Sequence, residues 1–175
     1  MANDTDARGS EGALHGKDLL ASKKSLEDIL RVATAFEKTA RDFYSALVPR
    51  VSKQLRYLVE ELAEEEQRHY DLFMQLAGAP DLQQQVRAQV AVPVNDRRFS
   101  DYVQAPELGD NPDDQAVLQY ALGREHAAME QYRDLAANTE PGPIHDLFEF
   151  LANEETKHKR ELEQLYYRVV HSGGV

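Results

Sequence analysis

One helical hairpin is written into this chain twice, and that repeat limits the fold more than any other feature of its 175 residues. Glu37 is followed seven residues later by Tyr44, and Glu125 likewise by Tyr132. Glu66 and His69 stand three residues apart, as do Glu155 and His158. Adding 88 to Glu37 and Tyr44 gives Glu125 and Tyr132, and adding 89 to Glu66 and His69 gives Glu155 and His158. The flanking residues follow the same offsets: Leu30 and Ala33 become Leu118 and Ala121, and Leu62 and Ala63 become Leu151 and Ala152.

Each half reads as two helices. The stripe Leu30, Ala33, Glu37, Ala40, Tyr44, Leu47 advances by threes and fours, which keeps its members on one face of a helix. Leu55, Val59, Leu62, Glu66, His69, Phe73 and Leu76 form the second stripe. The third runs through Leu118, Ala121, Glu125, Ala128, Tyr132 and Leu135, and the fourth through Ile144, Phe148, Leu151, Glu155, His158, Leu162 and Leu165. Ser25 is suited to cap the first helix, with Glu27 and Asp28 in its first turn, and Pro49 stops or kinks it. The second helix is predicted to start near Ser52 and to end at Gly78 and Pro80. Asn111 followed by Pro112 predicts the start of the third, Pro141-Gly142-Pro143 the next turn, and Ser172-Gly173-Gly174 the close of the fourth. Residues 1–24 read as a flexible tail and 25–172 as one bundle, with 79–110 as a long linker between the hairpins. A linker of that length permits a crossover that leaves the second and third helices pointing the same way. The expectation is an all-α four-helix bundle of two repeated hairpins with approximate two-fold symmetry.

The repeated words put charge where apolar residues belong. Residues three apart share a helix face, so Glu66 and His69 project together, as do Glu155 and His158. All four, with Glu37 and Glu125, fall on the inward stripes. An ionised carboxylate in a core is costly unless paired or metal-bound, and four at one level repel and force protons on. Two divalent cations cancel the charge, and neutral imidazoles complete the coordination. One Glu from each of two helices plus Glu-x-x-His from each of the other two is the donor inventory of di-iron and di-manganese carboxylate bundles. In this reading Glu66 and Glu155 bridge two metals, Glu37 and Glu125 each bind one terminally, and His69 and His158 each give one nitrogen. Iron is the first expectation, and manganese or zinc also suits such oxygen and nitrogen ligands. Tyr44 and Tyr132 read either as core aromatics or as hydrogen-bond partners of the site carboxylates. Glu60, Glu61, Glu64 and Glu65 read as a solvated helix face, and Glu130 and Glu154 as facing solvent or a neighbouring helix. His15, His126, His145 and His171 fall off the stripes.

Composition narrows the remaining options. The 31 acidic against 20 basic residues argue against nucleic acid as a partner. Cysteine is absent, which excludes disulfides, thiolate zinc sites and iron–sulfur ligation from these residues. No apolar run is long enough to span a bilayer, and the start lacks a basic region followed by an apolar one. A cytoplasmic location without membrane contact is the expectation.

At Glu37-x6-Tyr44, Glu66-x2-His69, Glu125-x6-Tyr132 and Glu155-x2-His158 the chain resembles the rubrerythrin branch of the ferritin-like superfamily, over about 26–78 and 111–170. The resemblance implies a four-helix bundle holding a non-haem di-iron centre, redox chemistry with hydrogen peroxide or dioxygen, and a homodimer. Rubrerythrins proper add a rubredoxin-like domain with a four-cysteine iron site. With no cysteine here, the resemblance implies an external electron donor. They also usually carry a further Glu one turn after the first on the third helix, where this chain has Ala128. The function expected is a di-iron oxidoreductase of peroxidase or ferroxidase type. The alternative is a non-catalytic metal-binding or iron-handling protein.

Overall fold

A computed structural model describes residues 25–51, 53–90, 108–110 and 112–172. The tail expected over 1–24, most of the linker, and the signals at Ser52, Asn111 and Gly173-Gly174 lie outside the described residues. Helix α1 spans Leu26–Leu47, and α2 spans Lys53–Ala77. A short helix α3 follows over Leu82–Val90, then α4 over Asp114–Ala137 and α5 over Pro143–Ser172. The fold is an all-α, ferritin-like four-helix bundle. Helices α1 and α2 pair as one hairpin and α4 and α5 as the other. No helix among the described residues is long and apolar enough to cross a membrane.

The helix ends follow local chemistry. The Ser25 hydroxyl accepts the backbone N–H of Asp28 at 3.1 Å, and acidic Glu27 and Asp28 complement the helix dipole. Pro49 does stop α1, through one 3₁₀ turn over Val48–Arg50. The cap of α4 is Asp113, whose carboxylate accepts the Ala116 N–H at 2.7 Å. The helix therefore starts later than the Asn111-Pro112 signal suggested, because a second good capping residue stands closer to the stripe.

The connection between the hairpins carries a helix of its own, α3, which packs mainly on α5. Leu82 and Val86 enter the core, and Arg87 Nε donates to Asp146 Oδ2 at 2.6 Å. One apolar residue per turn is a narrow stripe, too weak to read as a helix among Gln83, Gln84 and Gln85.

The core falls into two apolar blocks. One gathers Ile29, Leu30, Phe73, Leu76, Tyr132, Leu147, Phe150 and Leu151 with the inner face of α3. The other gathers Tyr44, Leu55, Val59, Leu118, Leu122, Leu162 and their neighbours. Each fully buried large apolar side chain contributes about 1.5–3 kcal/mol. These blocks hold the four helices in register around a different kind of residue. Glu37, Glu66, His69, Glu125, Glu155 and His158 are also buried, and they belong to neither block. The positions of the blocks rest on contacts such as that of Phe150, fully buried and edge-on to Phe73 at 6.1 Å. Phe150→Ala should cost about 3–5 kcal/mol in urea unfolding; a loss below about 1 kcal/mol would place Phe150 outside the core.

Candidate metal centre

The six residues marked by the repeat meet. Three groups have ligand atoms that all lie within 4.8 Å of one another: Glu37, His69 and Glu155; Glu125, Glu155 and His158; and Glu66, His69 and His158. Glu155 is common to the first two groups, and Glu66 reaches both imidazoles. The two rings stack with centroids 3.6 Å apart and planes 13° apart. His69 Nδ1 lies 3.6 Å from Glu37 Oε2, and His158 Nδ1 lies 3.3 Å from Glu125 Oε2. Each ring thus turns the same nitrogen toward the carboxylate of its own hairpin. The repeat in the sequence has become a pseudo-two-fold site.

The residues fit a pair of cations on grounds internal to the molecule. His69 Nδ1 is buried and finds no hydrogen-bond partner among the described residues, although buried polar atoms are nearly always satisfied. The donor set is four carboxylates and two imidazoles, which suits iron, manganese or zinc. Uncompensated, those carboxylates cannot all ionise. Burial, then the charges of Glu125 and Glu37, pushes the Glu66 carboxyl up to about 12. Burial, Glu37 and Glu125 likewise raise Glu155 well above the usual range. Burial also works against Glu125, but the hydrogen bond and charge of His158 overcome it and hold the carboxyl down to about 2. His158 is raised in turn: burial opposes its charge, and the Glu125 hydrogen bond wins. A metal pair would replace these protons and this ion pair as the source of neutrality.

Tyr44 and Tyr132 are both fully buried beside the carboxylates. Burial first, then Glu125, holds the Tyr44 hydroxyl protonated, while burial and Glu37 do the same for Tyr132. The tyrosine of each hairpin therefore faces the carboxylate of the other. The Tyr44 hydroxyl has no hydrogen-bond partner among the described residues, so it is a core aromatic with an unspent donor.

Two carboxylates beyond the six also belong to the layer. Glu65, expected on the solvated face, is buried, and its Oε2 lies 3.9 Å from His158 Nε2. Glu154 is buried too, with Oε2 3.9 Å from His69 Nε2, so it faces the neighbouring helix rather than solvent. Each is covered on its own helix by a base three residues on, Arg68 for Glu65 and Lys157 for Glu154. Glu65 is hard to single out because it stands among Glu60, Glu61, Glu64 and Glu66; Glu60 and Glu64 are indeed exposed. The signal that separates it was present: Glu65 and Arg68 recur 89 residues later as Glu154 and Lys157. A carboxylate at the far nitrogen of an imidazole fixes its tautomer and aims the near nitrogen. The off-stripe histidines stay apart. His145 lies by Asp146 and Glu149, and His171 Nδ1 is 2.9 Å from the Tyr167 carbonyl. His126 joins none of the three groups, and His15 lies outside the described residues.

A family model described as Rubrerythrin matches residues 28–166. No curated protein and no solved structure matches the chain.

The charge layer sets two expectations. For the metal-free protein, Glu66, Glu155 and Glu65 (the last raised to about 7, by burial first) bind protons more tightly folded than unfolded. Their contribution is complete below about pH 4.5 and is lost as pH rises through the folded values; His158 adds a loss of the same sign above about pH 6.5. The midpoint of thermal unfolding should therefore fall between pH 5 and pH 8, and excess Co(II) should reverse that trend because metal needs the deprotonated ligands. Separately, Glu65→Gln and Glu154→Gln should each lower Co(II) affinity by roughly 10–100-fold in a competition assay; an unchanged affinity would remove both from the site.

Proposed function

The chain belongs to the rubrerythrin family, and from that premise we propose that it binds two iron ions and works as an oxidoreductase on hydrogen peroxide or dioxygen. The observation that carries the reading is the closed set of four carboxylates and two imidazoles in three overlapping groups. Glu155, common to two of the groups, and Glu66, near both imidazoles, would each serve both ions. Glu37 with His69, and Glu125 with His158, would hold one ion each.

When bound, two ferrous ions supply the two electrons that, with two protons, turn hydrogen peroxide into two waters, and a donor outside these 175 residues restores them. The chain's own residues set the conditions for that chemistry. The four carboxylates would match the four positive charges of two ferrous ions. The apolar blocks on either side exclude bulk water and strengthen each electrostatic contact. Tyr44 and Tyr132 keep their hydroxyl protons beside the charges of Glu125 and Glu37. Glu65 and Glu154 add negative charge 3.9 Å from the far nitrogens of the two imidazoles.

Ala128 gives a second reading some support. The family's usual further carboxylate is absent at that position. Slow oxidation of Fe(II) by dioxygen, as in an iron-handling protein, needs only the six ligands.

Anaerobic loading with Fe(II) should reach about two ions per chain, and hydrogen peroxide should then raise near-ultraviolet absorbance from ferric carboxylate. Glu155→Gln should reduce both the bound iron and the absorbance change. Full iron occupancy with no response to peroxide or dioxygen would leave metal binding and remove the redox role.

A further inference from the structure

The two halves of the site are matched in their ligands but not in their surroundings. Arg124 stands directly before Glu125, and subtracting the repeat offset of 88 gives Phe36, directly before Glu37. The Arg124 guanidinium lies over the Phe43 ring at 5.1 Å and over the Tyr44 ring at 5.8 Å. It is thereby stacked against the tyrosine that faces Glu125. Its positive charge acts on Glu66, Glu125 and Tyr44. On the other half, Phe36 packs against the apolar block, and the charges acting on Tyr132 are those of Glu37, Glu155 and Glu66.

We propose that Arg124 makes the two metal positions inequivalent, so that the position of Glu37 and His69 fills first and that of Glu125 and His158 fills second. The inference rests on the dinuclear reading given above. A guanidinium is always charged, and the Phe43 and Tyr44 faces fix it close to one half of the site. A cation brought to that half meets repulsion that a cation in the other half does not.

The test is anaerobic titration of the full metal-free chain with Co(II), read by its visible ligand-field bands and by calorimetry. Two steps are expected, the second weaker. Glu125→Gln should remove the weak step and keep the tight one, and Glu37→Gln should remove the tight one. Arg124→Gln should tighten the second step on the order of tenfold and leave the first in place, whereas Arg124→Lys should keep the native gap. The gap should narrow rather than vanish, since the two ions still repel each other. Phe36→Arg guards against misfolding of the Arg124 variants: it should narrow the gap from the other side, by weakening the first step. A gap unchanged in Arg124→Gln, or equal losses in Glu37→Gln and Glu125→Gln, would overturn the inequivalence while leaving the site intact. No Co(II) binding at all would overturn the dinuclear reading and this inference with it.

Discussion

Like charges forced to one level of a bundle are the constraint around which everything else is arranged. Two carboxylates with ligand atoms within 4.8 Å of one another repel by about 3 kcal/mol or more at an effective dielectric of 20. Glu155 meets this repulsion from both Glu37 and Glu125, a sizeable share of a domain's net stability of about 5–15 kcal/mol. Compensation has two forms, protons or cations, and the site is built so that either serves. The apolar blocks do not merely stabilise the bundle around this layer. They prevent the third form of compensation, hydration, and so leave the layer dependent on what binds there.

How far the sequence disclosed this depends on which residues are considered. The six core donors were legible because a carboxylate on an apolar stripe is expensive, and expense repeated at a fixed offset is a strong signal. The helices of the bundle were legible for the same reason: their stripes are wide and end at Pro and Gly. Helix α3 was not, since a nine-residue helix with one apolar residue per turn owes its existence to α5 and the Arg87–Asp146 pair rather than to its own pattern. The N-cap of α4 was placed two residues early for want of geometry, as helix ends commonly are. Glu65 hid in an acidic run, where periodicity cannot separate the one residue that faces a seam from those that face water.

The stacked imidazoles show how a short word gains meaning from a fold. Three residues of spacing put Glu66 beside His69 on one helix, and Glu155 beside His158 on another. Only the bundle brings the rings to 3.6 Å and aims each Nδ1 at a different helix. Local sequence chose the donors, and helix pairing chose their partners. Arg124 and Phe36 mark the limit of the symmetry: once two halves share one chain, each is free to change alone.

The crossed contacts carry a further consequence. Tyr44 faces Glu125, Glu65 faces His158 and Glu154 faces His69, so every supporting group comes from the opposite hairpin. Neither hairpin by itself owns a complete coordination environment. The centre therefore exists only while the two hairpins stay docked, and any motion that parts them dismantles both halves of it at once.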